Sequence, residues 1–352
     1  MHAVILRLNR RNLLAGSAAL AAAAALRPLR AVAQESYLSG QTLEFNSGSS
    51  EGSPGNQLMQ ELASAFGRVL PETQVVFRAN PGGTSALSAA IVAEADPDGL
   101  TIGSIDTDSL LAKAIGSDVY DVSDFALLGA LDQESDMLFA STASGITDVG
   151  DVIGRDEPAI LPVRSVTSGG YFQALLINSL LGTRILPVTG YDSGARHLAF
   201  VSGEAQLGFF GLSGAGQVLA DGTGRLILKI ADLPLSEGPG EAPTLASFDA
   251  NPEFLWIVDF LRTTGISHIV GAPKSTPPDR LEVLRLAFNA AVADPQFVEE
   301  AAKLIVLEPI PGAEIEVALV GILARIESLA ESLTRALECG MQIAITGEAC
   351  AP

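Results

Sequence analysis

Apolar and polar positions alternate along the chain with two periods, two residues and about 3.6 residues, which is typical of strands followed by helices. A strand at 42–45 precedes a loop rich in glycine and serine and a helix at 57–69. Strands at 75–77 and 100–103 come next, with a helix at 86–95 between them. Because strands and helices alternate, the pattern predicts a parallel sheet with helices on its faces.

A similar series begins again in the middle of the chain. Strands at 159–163 and 184–188 each lead into a loop of small residues and then into a helix, and further strands follow at 207–210 and 226–230. A chain of 352 residues is longer than one hydrophobic core usually accommodates. We therefore predict an α/β protein with two doubly wound lobes.

The first 33 residues have the composition of an export signal. Arg10 and Arg11 precede an apolar run at 13–26, and small residues surround a cleavage point near Ala33. The adjacent arginines are typical of the twin-arginine route. A membrane anchor is the alternative, but the apolar run is shorter than the roughly 20 residues that span a bilayer. We expect a cleaved periplasmic protein whose mature chain does not insert into a membrane.

The C-terminal part predicts two helices, at 278–291 and 315–337. Apolar residues of the second helix recur every three or four positions, a stripe typical of packing against a core. Cys339 and Cys350 are the only cysteines. In an oxidising compartment they would form a disulfide that restrains the C-terminus, and two free thiols are the alternative.

The charge of the chain limits the classes of partner that it can bind. Five of the 21 basic residues and none of the 41 acidic residues lie in the signal, so the mature chain has 16 basic residues and a formal charge of −25. This charge repels phosphate backbones and argues against nucleic acid as a partner. Only His197 and His268 remain as histidines, and neither lies in a ligand-spaced cluster, so we expect no metal and no cofactor.

Four loops at the carboxyl ends of predicted strands are rich in glycine, serine and threonine. Ligands of open α/β sheets bind at that edge. Small residues let the backbone approach a ligand, and a helix that begins next directs unpaired N–H groups and the positive end of its dipole at it. The loops therefore favour a small organic anion, although ordinary turns are the alternative for any one of them.

Seven short segments, in order, resemble the tripartite tricarboxylate transporter receptors, also called Bug receptors, which are periplasmic solute-binding proteins. Pro-Asp-Gly and Ala-Pro-x-x-Thr-Pro are among the motifs retained. The segments are 50–56, 79–85, 97–102, 120–125, 188–194, 243–247 and 272–277.

The resemblance covers nearly the whole mature chain and implies a periplasmic-binding-protein-like fold that closes about a hinge on its solute. We expect lobe 1 at 34–138 and 262–352 and lobe 2 at 139–261. The implied solute is a carboxylate or an amino-acid-like compound, the implied partner is a membrane permease, and no enzymatic activity is expected. We expect a monomer.

The resemblance also implies ligand-binding residues in the loops of both lobes. In the first lobe the candidates are Ser49, Ser50, Gly52, Asn56, Gly83, Thr84 and Ser85, with Asp106 after the third strand as a further candidate. In the second lobe they are Thr167, Ser168, Gly169, Tyr191 and Asp192.

Two acidic residues depart from the family pattern. Glu51 lies in the first loop, and Asp192 occupies a position that the family often fills with a basic residue. Both favour a monocarboxylate or an amine-bearing acid over a tricarboxylate. Arg164 and Arg196 flank the second-lobe loops and are candidate partners of a carboxylate, with solvated surface side chains as the alternative.

Two other functions compete with solute capture for transport. The segment Gly48-Ser49-Ser50-Glu51-Gly52 matches the G-x-S-x-G pattern of a nucleophile elbow, which would make Ser50 the nucleophile of an exported serine hydrolase with His197 or His268 as its base. A periplasmic sensor that presents its ligand to a signalling partner is the third hypothesis.

Overall fold

The computed structural model describes residues 37–82, 85–105, 120–133, 137–230, 241–248, 254–263, 266–305 and 307–350. The export signal and three candidate site residues, Gly83, Thr84 and Asp106, lie outside these stretches, so what the sequence indicates for them stays a prediction.

Strands and helices alternate through most of the described chain. The strands are β1 Thr42–Ser47, β2 Gln74–Ala79, β3 Thr101–Ile105, β4 Phe125–Gln133, β5 Met137–Ser141, β6 Ala159–Pro162, β7 Ile185–Val188, β8 Leu207–Phe210, β9 Gly224–Lys229, β10 Ile266–Pro273 and β11 Ile310–Pro311. The α-helices are α1 Pro54–Val69, α2 Ala86–Ala93, α3 Gly169–Leu181, α4 Ser193–Ser202, α5 Leu212–Ala220, α6 Trp256–Thr263, α7 Pro278–Val292, α8 Pro295–Ala301 and α9 Gly312–Thr346.

The first sheet has six strands in the order β11-β4-β10-β3-β1-β2. Strands β1, β2 and β3 are parallel, as the alternation of strands and helices predicts. Strands β4, β10 and β11 pair antiparallel, which the sequence pattern did not reveal. The reason is that β10 returns to the sheet from far along the chain, and no local pattern marks so distant a partner.

Helix α1 shows why the first unit folds as the sequence predicts. Its buried residues, which include Leu58, Leu62 and Phe66, recur at helical spacing and form one face of the helix. Burying each such side chain contributes about 1.5–3 kcal/mol. The helix begins three residues before the predicted start, because Ser53 caps it and Pro54 is its first residue.

The middle of the chain forms two smaller sheets. Strands β8, β5 and β9 make an antiparallel sheet with β5 in the centre, and β6 and β7 make a parallel pair. Helix α3 follows β6, and helix α4 follows β7. Both parallel strands therefore end beside the start of a helix, the arrangement that the sequence predicts for the second lobe.

Two large apolar clusters make up most of the core. One contains residues of α1, α7 and α8 together with Phe45 of β1 and Leu128 of β4. The other contains Leu127 of β4, residues of α9, and Leu175 of α3. Neighbouring residues of β4 thus face different clusters, so both faces of the first sheet are buried.

Helix α9 begins against the first sheet. The amide of Leu127 in β4 donates to Glu316 Oε1 at 3.1 Å, and Arg285 of α7 pairs with the same carboxylate at 2.7 Å. The backbone of Gly312 lies so close to Leu127 that a Cβ would collide with the carbonyl group of that residue. Glycine is therefore required at this contact.

The last turns of α9 pack on helix α3, in the middle part of the chain. Asn178 Nδ2 donates to the carbonyl of Gly340 at 3.1 Å, and the hydroxyl of Ser179 donates to the carbonyl of Ala336. Helix α9 is 35 residues long and extends nine residues beyond its predicted end. It therefore connects the first sheet with the part of the chain that carries β6 and β7.

Two further observations concern the C-terminal region and the membrane. Cys339 and Cys350 form a disulfide, which ties the end of the chain back to α9. None of the helices in the described stretches combines the length and the apolar character needed to cross a membrane.

Substitutions of two glycines in α9 test its packing on α3. We expect Gly340→Ala to lower the free energy of unfolding by about 1–3 kcal/mol, because its Cβ would collide with the carbonyl of Leu175. Gly321→Ala is the matched control, because that position is exposed and its Cβ would meet open space. It should raise the free energy of unfolding by up to about 1 kcal/mol. Urea titrations of both variants measure the difference, and equal effects would refute the contact.

Candidate functional site

The carboxyl ends of β1, β2 and β3 lie at one edge of the first sheet, where the loops after β1 and β2 begin. In the strand register, Ser47, the last residue of β1, is paired with Ala79, the last residue of β2, and Asn46 is paired with Gly103 of β3. The amide of Asn80 donates to the carbonyl of Ser47 at 2.7 Å, and the amide of Gly48 donates to Ser104 Oγ at 3.1 Å. Hydrogen bonds therefore connect the loops as well as the strands.

The first and second loops touch at Gly48. A Cβ on this glycine would lie 2.6 Å from the hydroxyl oxygen and 2.7 Å from the Cα of Ser85. Ser85 itself has a left-handed backbone with φ of +69° and is the N-cap residue of α2. Only glycine allows the two loops this close an approach, so Gly48 positions the second loop although it offers no side chain of its own.

Helix α1 begins at this edge without an acidic residue in its first turn. The hydroxyl of Ser53 accepts a hydrogen bond from the amide of Asn56 at 3.2 Å and donates to the carbonyl of Ser50 at 2.7 Å. The side chain of Ser49 lies over Gly55, with its hydroxyl 3.0 Å from where a Cβ would be. The start of α1 is therefore an electropositive surface of amides and hydroxyls.

Asn56 and Asn46 are the buried amide side chains of this edge. Asn56 is 7% exposed, and its Oδ1 has no hydrogen-bond partner in the described part of the chain. Asn46 is 1% exposed, accepts from Asn80 Nδ2 at 2.7 Å and donates to the carbonyl of Ile102 at 3.4 Å. Sequence reasoning identified Asn56 but missed Asn46, because Asn46 alternates with Leu43 and Phe45 and lies on the same face of β1 as Glu44, where the pattern predicts a polar residue.

The second edge is formed where β6 and β7 end side by side. The amide of Gly190 donates to the carbonyl of Arg164 at 3.1 Å, and the amide of Tyr191 donates to the carbonyl of Val163 at 3.2 Å. These bonds connect the loop that leads into α3 with the loop that leads into α4. The two loops are therefore neighbours, with Arg164 in the first of them and Arg196 near the start of α4.

A cluster of hydroxyl groups precedes α3. Ser165 and Thr167 have their hydroxyl oxygens 3.0 Å apart, and Ser168 donates its hydroxyl hydrogen to the carbonyl of Ser165 at 2.8 Å. Ser168 makes no side-chain capping bond, and the first turn of α3, which starts with Gly169, has no acidic residue. Like α1, this helix has a serine as its N-cap residue and no acidic residue in its own first turn.

The start of α4 differs, because the chain supplies its own anion there. Asp192 Oδ1 accepts a hydrogen bond from the amide of Ala195 at 2.8 Å and so caps the helix. Tyr191 donates its hydroxyl to Glu204 Oε1 at 2.9 Å. That hydrogen bond and the charge of Glu204 raise the pKa of Tyr191, so its hydroxyl stays protonated near neutral pH.

The structure distributes the candidate site residues over the two edges. Ser49, Ser50, Gly52, Asn56 and Ser85 lie at the first edge, and Thr167, Ser168, Gly169, Tyr191 and Asp192 lie at the second. Their roles in ligand binding remain a prediction.

The residues of the hydrolase hypothesis are placed differently from a nucleophile elbow. Helix α1 begins four residues after Ser50, and the carbonyl of Ser50 accepts from the Ser53 hydroxyl. His197 packs edge-on against Phe210, and His268 Nδ1 lies 2.9 Å from Asp132 Oδ1. No group of three or more potential metal ligands occurs within the described residues.

Comparison with known proteins gives results at the level of the fold. No protein-family model matches the sequence, and no curated protein matches it. Among solved structures, a TctC solute-binding protein from Polaromonas is 16% identical, with 85% of this chain and 99% of that chain covered and a TM-score of 0.63.

Two other solved structures are similar to the same extent. The periplasmic binding protein BugD is 18% identical, with coverage of 84% and 97% and a TM-score of 0.65. The R. palustris protein Rpa4515, solved with adipate, is 18% identical, with coverage of 84% and 97% and a TM-score of 0.66. These likenesses support the resemblance seen in the sequence and confirm the predicted fold class. The chain therefore has the two-lobed α/β fold of periplasmic solute-binding proteins.

Proposed function

We propose that this protein is a periplasmic solute-binding protein of the tripartite tricarboxylate receptor family, and that it captures a small carboxylate for a membrane permease without catalysing a reaction. One observation carries the proposal. At each of the two sheet edges a helix, α1 or α3, begins with no acidic residue in its first turn and with hydroxyl groups around its start. Such helix starts are ready-made sites for a carboxylate.

In this proposal the ligand binds between two lobes, 34–138 with 262–352 and 139–261. The carboxylate of the ligand accepts hydrogen bonds from backbone amides and from the hydroxyls of Ser49, Ser50 and Thr167, while Ser168 holds the loop by donating its hydroxyl hydrogen to the carbonyl of Ser165. Closure of the lobes would remove water from these contacts, which strengthens each of them in the lower local dielectric. Helix α9 belongs to the first of these lobes and contacts the second through its packing on α3.

The solved structures agree with this ligand class. The protein solved with adipate has a similar fold, and this chain covers 97% of its length. Adipate is a six-carbon chain with a carboxylate at each end, so it is a natural starting point for a ligand search. A periplasmic location and cleavage of the export signal near Ala33 complete the proposal.

A thermal-shift screen of the mature protein against carboxylates tests the proposed function. A ligand at 100 times its dissociation constant should stabilise the protein by about 2.7 kcal/mol. Adipamide, which has the shape of adipate without its charges, is the matched control and should give no shift. If neither carboxylic nor amino acids raise the melting temperature, and calorimetry detects no binding, the proposal is wrong.

Substitution of Gly48 tests the role of the first edge. We expect Gly48→Ala to weaken carboxylate binding by about tenfold or more, equivalent to about 1.4 kcal/mol, because the new Cβ would displace the loop that contains Ser85. Gly216→Ala is the control, because its Cβ would meet open space. Adding Ser85→Gly to the Gly48→Ala variant removes the contacts with the Cβ and Oγ of Ser85 but leaves the contact with its Cα at 2.7 Å, so it should restore only part of the affinity. Unchanged affinity in the Gly48→Ala variant would show that this edge does not bind the ligand.

A further inference from the structure

The helix starts at the two edges are not equivalent in charge. Helices α1, α2 and α3 have no acidic residue in their first turns, and none of them is capped by a carboxylate. Helix α4 is capped by Asp192, whose carboxylate accepts from the amide of Ala195 at 2.8 Å. The chain itself thus occupies the place that a ligand carboxylate would take at α4.

Asp192 lies in a loop that borders the loop leading into α3. The loops that lead into the two helices are joined by the hydrogen bonds from Gly190 to Arg164 and from Tyr191 to Val163, at 3.1 and 3.2 Å. A carboxylate bound at the start of α3 would therefore have the charge of Asp192 as a neighbour. A second carboxylate on the same ligand would be repelled if it lay toward α4.

The other neighbour of this helix start is apolar. A Cβ on Gly170, in the first turn of α3, would lie 3.7 Å from a ring carbon of Phe209 and 3.4 Å from a methyl group of Val163. Phe209 is the next-to-last residue of β8 and is only partly buried. Its ring offers contact to a hydrocarbon chain and no hydrogen bond to a charged group.

We infer that Asp192 determines the ligand class, so that the site binds aliphatic monocarboxylates more tightly than dicarboxylates of the same length. This inference rests on the proposed function. The single carboxylate occupies the helix starts that carry no acidic cap, and the hydrocarbon chain lies toward Phe209. A second carboxylate would lose its water shell beside Asp192 without gaining a helix start of its own. The similar protein solved with adipate holds a dicarboxylate, so this chain would differ in specificity.

Calorimetry with matched pairs of acids tests the inference at low ionic strength, where charge effects are least screened. The pairs are propionate with malonate, butyrate with succinate, hexanoate with adipate, and octanoate with suberate. For the chain length that binds best, we expect the wild type to bind the monocarboxylate about tenfold or more tightly.

Asp192→Asn removes the charge but keeps a good capping residue, because asparagine also accepts a hydrogen bond from a helix amide. We expect the preference for the monocarboxylate to fall by about tenfold, because the repulsion between Asp192 and a second carboxylate is then absent. Asp148→Asn is the matched control. Asp148 is likewise an N-cap residue, for the 3-10 turn Val149–Val152, and it accepts a hydrogen bond from the amide of Gly150 at 2.7 Å. It belongs to neither of the two edges. This variant should leave the preference unchanged.

The possible results separate this inference from the proposed function. The role of Asp192 is wrong if the wild type binds the dicarboxylate as tightly as the monocarboxylate or more tightly. It is also wrong if the Asp192→Asn variant keeps the melting temperature of the wild type and the same preference. In both cases the proposed function stands. If the wild type binds no acid of any pair and none of the screened carboxylic or amino acids, the proposed function fails, and the inference fails with it.

Discussion

The contact that the rest of the structure depends on is the packing of helix α9 on two parts of the chain at once. Its first turns lie against β4, where Glu316 bonds the amide of Leu127, and its last turns lie against α3, where Asn178 bonds the carbonyl of Gly340. Close-packed interfaces of this kind tolerate little deformation. Any movement that closes the two lobes on a ligand must therefore preserve both contacts, which restricts how the first edge can approach the second.

Electrostatic interactions at the two edges act over short distances. The chain has a formal charge of −20, or −25 without the predicted export signal, and this charge repels anions at long range, but salt screens exposed charges beyond about 8 Å at physiological ionic strength. In the proposed function, the groups that act within that distance are the amides at the starts of α1 and α3 and the hydroxyls of Ser49, Ser50 and Thr167. The same reasoning makes a single local carboxylate, that of Asp192, more important for specificity than the many acidic residues elsewhere on the surface.

Local pattern was sufficient to predict much of the fold. The parallel strands β1 to β3 and the helices between them follow from apolar spacing, whereas α1 begins three residues before its predicted start. The antiparallel strands and the end of α9 could not be predicted in this way, because their partners are distant in sequence. For the same reason, the sequence did not reveal that Gly48 touches Ser85 or that Asn46 bonds Asn80. Asp192 was identified as unusual, but its bond to Ala195 requires coordinates.

The most direct test of the account is a nuclear magnetic resonance titration of the ¹⁵N-labelled mature protein with the carboxylate that binds best. The account predicts that backbone amides at 48–56 and at 165–170 shift together, with one common dissociation constant, because both edges contact the same ligand molecule. Shifts confined to one of these segments, or separate dissociation constants for the two, would contradict the claim that the helix starts of both lobes bind one carboxylate.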